Sequence, residues 1–315
     1  MQNVPHLYQL ISKNKRYSFL LIMLITALFV AVGYFIGAAY ANPFIGIFFA
    51  FAVSLVMALT SYFAGDSIVL GLMGAEEADR AEYPQLYNVV EEMKIASGLP
   101  MPKVYVIHSA ASNAFATGRN PKNASIAVTT GILELLKRDE LQAVIGHEMS
   151  HIRNYDTLYA VIMGIMVGAI AIACDSFWRM LRWGRLGGRS RGRGAGQAQA
   201  VILLIAIILA ILAPIAAKII QFAMSRRREY LADNGSAELT RNPEALASAL
   251  EKIAGDPDPL DVANRGVQHL FIINPLHTYS GDTQWLVGLF STHPPVMERV
   301  RILKGLAHTY IKDKS

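Results

Sequence analysis

The sequence predicts an α-helical membrane protein carrying an α+β soluble domain, with about four transmembrane helices in two hairpins. Three observations predict it. Of 315 residues, 53% are hydrophobic and only 17% are charged, whereas soluble domains average about a quarter charged. Between Arg16 and Asp66 no side chain is charged, and about 20 apolar residues already suffice to cross a bilayer as a helix. Two further apolar runs, Thr157 to Trp178 and Ala200 to Phe222, interrupt segments polar enough to be soluble. These observations argue against an ordinary soluble enzyme.

The helix-breaking pair Asn42-Pro43 divides the first run into helices from about Tyr17 to Ala39 and Phe44 to Phe63, a membrane hairpin over residues 1–65. A cleaved signal peptide is the alternative for the first helix, but its apolar part is about twice the usual length, which favours an uncleaved anchor. Lys13, Lys15 and Arg16 precede it, so the positive-inside rule keeps the N-terminus, and with it Asp66, in the cytoplasm. Gly33 and Gly37, and Gly164 and Gly168, have the small-xxx-small spacing of close helix contacts, a spacing that also arises by chance in Gly-rich spans.

Residues 66–156 and 225–315 are expected to fold as one domain, split by a second membrane hairpin at 157–224. Val104 to Ile107 and Ser125 to Thr129 are short β-rich runs between Pro and Gly breakers, with Asn113 to Thr117 as a third, which predicts a small sheet between helices. Helices are expected over Arg226 to Glu238 and Pro243 to Ala254, the latter capped by Asn242, and a loop over Asp256 to Asp261. Six arginines crowd Arg179 to Arg193 in a Gly/Arg-rich stretch over 179–199. They suggest anionic-lipid contact, or a merely solvated loop, and no nucleic-acid partner. The single cysteine, Cys174, excludes an intramolecular disulfide framework and a cysteine-based zinc ribbon.

The chemistry concentrates in His147-Glu148-Met149-Ser150-His151, an H-E-x-x-H motif. Helical residues four apart share a face, so both imidazoles can reach one Zn²⁺ while Glu148 lies beside the water as general base. Zinc lowers the pKa of its water toward roughly 7, so a carboxylate can accept the proton as the oxygen attacks a polarised peptide carbonyl. A catalytic zinc takes three protein ligands and keeps one position open. The metzincin pattern fails, because Asn154 and Thr157 stand where Gly and His would be required. Arg226-Arg-Arg-Glu-Tyr-Leu-Ala-Asp233 instead offers Glu229 as third ligand, with Asp233 one turn later to accept the free ring N–H of a ligating histidine.

With these motifs, together with Asn113-Ala-Phe-Ala-Thr-Gly118 and Ser291-Thr-His-Pro-Pro295, the whole chain resembles the HtpX-type integral membrane zinc metalloproteases, gluzincin-like relatives of the prenyl-protein CAAX proteases. The resemblance implies a gluzincin-like zinc-protease domain in a bacterial inner membrane with one Zn²⁺ per chain. It further implies ligation by His147, His151 and Glu229, catalysis by Glu148, and endoproteolysis of damaged or misfolded membrane proteins. It places the substrate as an added strand along Asn113, Ala114, Phe115 and Ala116, where main-chain hydrogen bonds hold any sequence. It favours His293 as donor to the substrate carbonyl or developing oxyanion. Arg299 is expected either to pair with Asp233 or to contact substrate. His6, His108, His269, His277 and His308 carry no motif.

One metal joining His147, His151 and Glu229 requires the 157–224 hairpin to start and end on the same membrane face. If that hairpin crosses twice, the Arg179 to Arg193 cluster opposes the positive-inside rule; the alternative is a hairpin embedded without crossing. Three other readings compete. Charges at Lys137, Arg138, Asp139, Glu140, Arg153 and Asp156 count against a zinc buried in the bilayer centre. An intact Glu148 counts against an inert adaptor with a structural metal. Prenyl-peptide processing follows only from kinship, and four spans leave it little room.

Overall fold

A computed structural model of the chain describes residues 7–39, 42–182, 195–256, 258, 271–272 and 294–312. In chain order its elements are helices α1 (Leu7–Ala39) and α2 (Pro43–Leu72), strand β1 (Glu76–Glu77), helix α3 (Pro84–Ser97), strands β2 (Lys103–Ile107), β3 (Ala114–Asn120) and β4 (Asn123–Thr129), then helices α4 (Thr130–Leu135), α5 (Arg138–Asn154), α6 (Asp156–Arg182), α7 (Ala195–Thr240), α8 (Pro243–Ala254) and α9 (Val296–Lys312). The chain divides into one unit of residues 1–61 and 162–221 and another of 62–161 and 222–315.

In the first unit, Asn42 and Pro43 break the apolar run as their chemistry demands: the Asn42 side chain accepts from the Ile45 N–H at 3.2 Å, and proline occupies the first turn. Glycine lets α1 and α2 meet backbone to backbone, since a Cβ on Gly37 would lie 2.8 Å from the Gly46 Cα and one on Gly33 would collide with Ala50 and the Gly46 carbonyl. Gly33 and Gly37 therefore mark a helix contact, whereas a Cβ on Gly168 would meet nothing within 4 Å. Among the described residues, Pro43–Leu72 and Asp156–Arg179 are long and apolar enough to cross a membrane, and shorter apolar stretches run over Met23–Ala38 and Leu203–Ile219. The helix expected over Arg226 to Glu238 is part of a longer one. With no glycine or proline between Ile215 and Asn234, α7 continues unbroken from the apolar run to Thr240. Most of the arginine-rich stretch, residues 183–194, lies outside the described residues, as do 257 and 259–261 of the expected loop.

The second unit is built on a four-stranded sheet in the order β1-β2-β4-β3, with β2 and β4 parallel and β3 antiparallel to β4 along the outer edge. The β-branched run Val104, Val106, Ile126 and Val128 turns toward Val89, Val144, Ile145 and Leu250 of the helices, giving one apolar core. Helix α5 lies within that core, and every residue from Ala143 to Ser150 is buried. Its start is fastened by Glu140, whose carboxylate accepts from the Lys137 N–H at 2.8 Å, Ser248 Oγ at 2.6 Å and Lys252 Nζ at 2.6 Å. Helix α7 approaches α5 closely, because Ser236 Oγ donates to the Ala143 carbonyl at 2.6 Å and a side chain on Gly235 would collide with Ser150.

Candidate active site

One turn of α5 separates His147 from His151, so both rings leave the same side of the helix, with centroids 4.7 Å apart and Nε2 atoms 3.1 Å apart. Glu229 of α7 faces them. Its Oε2 lies 3.5 Å from His147 Nε2 and its Oε1 3.6 Å from His151 Nε2. One ligand atom from each of the three residues falls within 4.8 Å of the others. The two imidazoles are held from behind. His147 Nδ1 is 3.0 Å from Asp233 Oδ1 and His151 Nδ1 is 3.1 Å from Asp156 Oδ2, contacts that favour, in a neutral ring, the Nδ1–H tautomer whose Nε2 lone pair faces the cluster.

Asp233 is itself clamped. Arg299 of α9, fully buried, donates from Nε at 2.8 Å and from Nη2 at 2.6 Å to its two oxygens, while Nη1 donates to the Ile272 carbonyl at 2.9 Å and lies 3.3 Å from Glu229 Oε2. Of the two roles expected for Arg299, this geometry displays the pairing with Asp233.

Burial pushes the Glu148 carboxyl above its ordinary pKa, against the pull of the two imidazoles and of a hydrogen bond from the Ala116 backbone N–H. Among the described residues its Oε2 has no hydrogen-bond partner. An acid raised in this way, with one oxygen held and the other unengaged, is suited to accepting and returning a proton. Asp233 behaves oppositely. Burial would raise its pKa, but the charge and hydrogen bonds of Arg299, with the His147 contact, hold it below the ordinary carboxylate value.

This donor set fits a divalent cation. Three lone-pair atoms converge with the unpartnered Glu148 oxygen beside them. The carboxylates of Glu148, Glu229, Asp233 and Asp156 outnumber the guanidinium groups of Arg299 and Arg228 around this point, which suits a bound cation.

Strand β3 lies beside this cluster at the sheet edge. Asn113 pairs inward, its N–H donating to Thr129 Oγ1 at 2.9 Å and its carbonyl accepting from the Thr129 N–H at 3.0 Å. Its side chain accepts from the Ala114 N–H at 3.0 Å and is buried. The alternation of a strand then turns Ala114 and Ala116 outward from β4. The Ala114 carbonyl accepts from the Ile272 N–H at 3.0 Å, and the Phe115 ring is buried edge-on against Phe271 with centroids 5.2 Å apart. His293 lies outside the described residues.

Asp156 and Arg228 complete the site without having been singled out as functional residues. Asp156 follows His151 by five positions, which on an unbroken helix would face it away. Tyr155 ends α5 in the left-handed region at φ 61°, and that turn carries Asp156 back. The available signal was an acidic residue set at the threshold of an apolar span.

The family model of peptidase family M48 matches residues 80–307. A protease HtpX homolog of Caldanaerobacter subterraneus subsp. tengcongensis is 43% identical over 300 residues, covering 95% of this chain and 98% of its own. Another, from Thermococcus sibiricus, is 44% identical over 289 residues, covering 91% and 94%. The crystal structure of S. mikatae Ste24p is similar in fold, with a TM-score of 0.50 and 19% identity, over 94% of this chain and 67% of that one.

Proposed function

Because the chain belongs to peptidase family M48, we propose that His147, His151 and Glu229 hold one Zn²⁺ and that Glu148 is the base and acid of peptide-bond hydrolysis. The protein is a membrane metalloprotease. The observation that carries the site assignment is the convergence of the three ligand atoms beside the unpartnered carboxylate oxygen of Glu148.

When bound, zinc polarises the scissile carbonyl and acidifies the attacking water. Glu148 takes the proton of that water as its oxygen bonds to the carbonyl carbon, then returns it to the amine nitrogen as the C–N bond breaks. The Ala116 N–H keeps the carboxylate of Glu148 facing this path. Asp233, held by Arg299, keeps the His147 ring in its ligating tautomer. The substrate backbone would add alongside β3 near Asn113 to Ala116, on the side away from β4, which requires the Ile272 N–H to give up the Ala114 carbonyl, and His293 would donate to the carbonyl oxygen. That mode recognises main chain rather than sequence and suits damaged or unfolded membrane proteins.

In this proposal residues 1–65 and 157–224 form two membrane hairpins, giving four spans in a bacterial inner membrane. The protease domain of 66–156 and 225–315 faces the cytoplasm. The hydropathy and the cations before the first span support it.

The test uses the purified full chain in detergent, with metal analysis and cleavage of an unfolded model protein such as reduced, carboxymethylated lactalbumin. About one zinc per chain is expected, and Glu148→Gln should retain it while losing activity by at least about a hundredfold. Undiminished cleavage by Glu148→Gln would overturn the mechanism, and a wild-type protein that binds no zinc would overturn the ligand assignment.

A further inference from the structure

The two candidate metal-ligating histidines are supported in the same way by unrelated parts of the chain. Behind His147 stand Asp233 and the buried Arg299. Behind His151 stand Asp156, buried at the first residue of α6, and Arg228, buried one position before Glu229. Arg228 Nη1 donates to the Asp156 carbonyl at 3.2 Å and lies 3.8 Å from its Oδ1. Thr157 Oγ1 donates to the Gly118 carbonyl at 2.8 Å, fastening the same corner to β3.

We propose that Asp156 is the positioning residue for His151 and that Arg228 secures Asp156, so that the first residue of α6 helps set the affinity and geometry of the metal centre. The inference rests on the metalloprotease reading of this site. An ionised carboxylate can only accept, so Asp156 places the ring proton on His151 Nδ1 and directs the Nε2 lone pair toward Glu229 and His147. A buried carboxylate in that position needs a compensating cation, and Arg228 supplies one. Because Arg228 is adjacent to Glu229 on α7, the residue that steadies one ligand's support is covalently tied to another ligand. The left-handed turn at Tyr155 is the backbone conformation that makes the contact. A helix-starting acid whose only task was to oppose the α6 dipole would not need its carboxylate buried against an imidazole.

The test compares wild type with Asp156→Asn, Asp156→Ala and Arg228→Lys as full chains in detergent, by chelator competition for Zn²⁺, the visible spectrum of the Co²⁺-loaded protein, and unfolding of the metal-free protein. Asp156→Ala should weaken zinc binding by about 10- to 100-fold and shift the Co²⁺ bands while the stoichiometry stays at one. Asp156→Asn keeps the shape and an acceptor but not the charge, and should fall between. Arg228→Lys keeps the charge but not the fork that reaches the Asp156 carbonyl, and should weaken zinc binding less than Asp156→Ala; wild-type affinity and spectrum in Arg228→Lys would remove Arg228 from the proposal. Wild-type affinity and spectrum in Asp156→Asn and Asp156→Ala would overturn the proposal, and so would a lost stoichiometry, which would make Asp156 a ligand. Changes confined to unfolding of the metal-free protein would assign Asp156 a purely structural role and overturn it as well. These outcomes are separate from failure of the functional reading, which would appear as absent zinc binding in wild type.

Discussion

At His147 two effects oppose each other. Burial would lower the affinity of the imidazole for a proton, but its hydrogen bonds to Asp233 and Glu229 outweigh that and raise its pKa from 6.5 to about 9. In the metal-free protein a proton thus occupies the place that the proposed cation would take. Zinc binding must displace it, so zinc affinity should rise by about tenfold per pH unit from neutrality to about pH 9 and then level off. Chelator competition across that range checks this; a flat profile would mean that His147 does not exchange a proton for the metal. The same raised value has a consequence for the metal-free fold. The stabilisation it contributes is complete below the unfolded value near 6.5 and is lost as pH rises through about 9. Arg299 is pulled two ways in similar fashion: burial disfavours its charge, while Asp233 and Glu229 restore and strengthen it. That makes its contact with Asp233 a charge-assisted pair in a dry setting rather than a solvated surface contact.

Among the elements, α5 depends on how its first turn is anchored. Burial would raise the Glu140 pKa, but hydrogen bonds from Lys252, Ser248 and the Lys137 N–H lower it below the ordinary 4.5. Because the folded value is depressed, the stability it contributes is present above pH 4.5 and is lost as pH falls through the folded value. Glu140→Gln should therefore cost about 1–2 kcal/mol near pH 7, with the gap to wild type narrowing once the pH falls well below 4.5. Urea unfolding of the metal-free protein in both pH ranges measures it, and a gap that persists in acid would remove ionisation as the cause. The α1–α2 contact gives a second contrast at this scale. Gly46→Ala forces a methyl against the backbone of Gly33 and Gly37 and should destabilise the hairpin, whereas Gly168→Ala enters open space and should be neutral or slightly stabilising. Thermal unfolding in detergent should separate the two variants. Equal behaviour would mean that the close approach at Gly46 contributes no stability.

For the whole molecule, one ion cannot be shared by ligands on opposite faces of a bilayer. If His147, His151 and Glu229 bind one zinc, the segments carrying them lie on one side, which in the proposed topology is the cytoplasm. Cysteines placed at the exposed positions Asp139 and Glu244 in a Cys174→Ser background should both be labelled from the cytoplasm. A cysteine at Gly192 should label from the opposite face if the second hairpin spans the membrane, and from the cytoplasm if it is embedded. Labelling of Asp139→Cys and Glu244→Cys from opposite faces would refute the three-ligand centre, whatever the motifs imply.

The apolar runs, the short β-rich segments and the H-E-x-x-H pair were legible in the sequence because each follows a local period: about 20 apolar residues for a span, two for a strand, four for histidines on one helix face. Glu229 and Asp233 were legible for the same reason, being one turn apart on a helix that no glycine or proline interrupts before Asn234. Other features depended on the tertiary structure. The choice for Arg299 between Asp233 and substrate required the packing of α9 against α7 residues far away in sequence. The engagement of the Ala114 carbonyl by Ile272 likewise brings together distant residues. Asp156 escaped local reading because a left-handed turn at Tyr155 reverses the face that helical periodicity assigns it, and Arg228 because its partner lies across a whole apolar hairpin in the chain. Local periodicity determines which face a residue presents along its own element; which distant charge meets it there is decided by the packing that removes both from water.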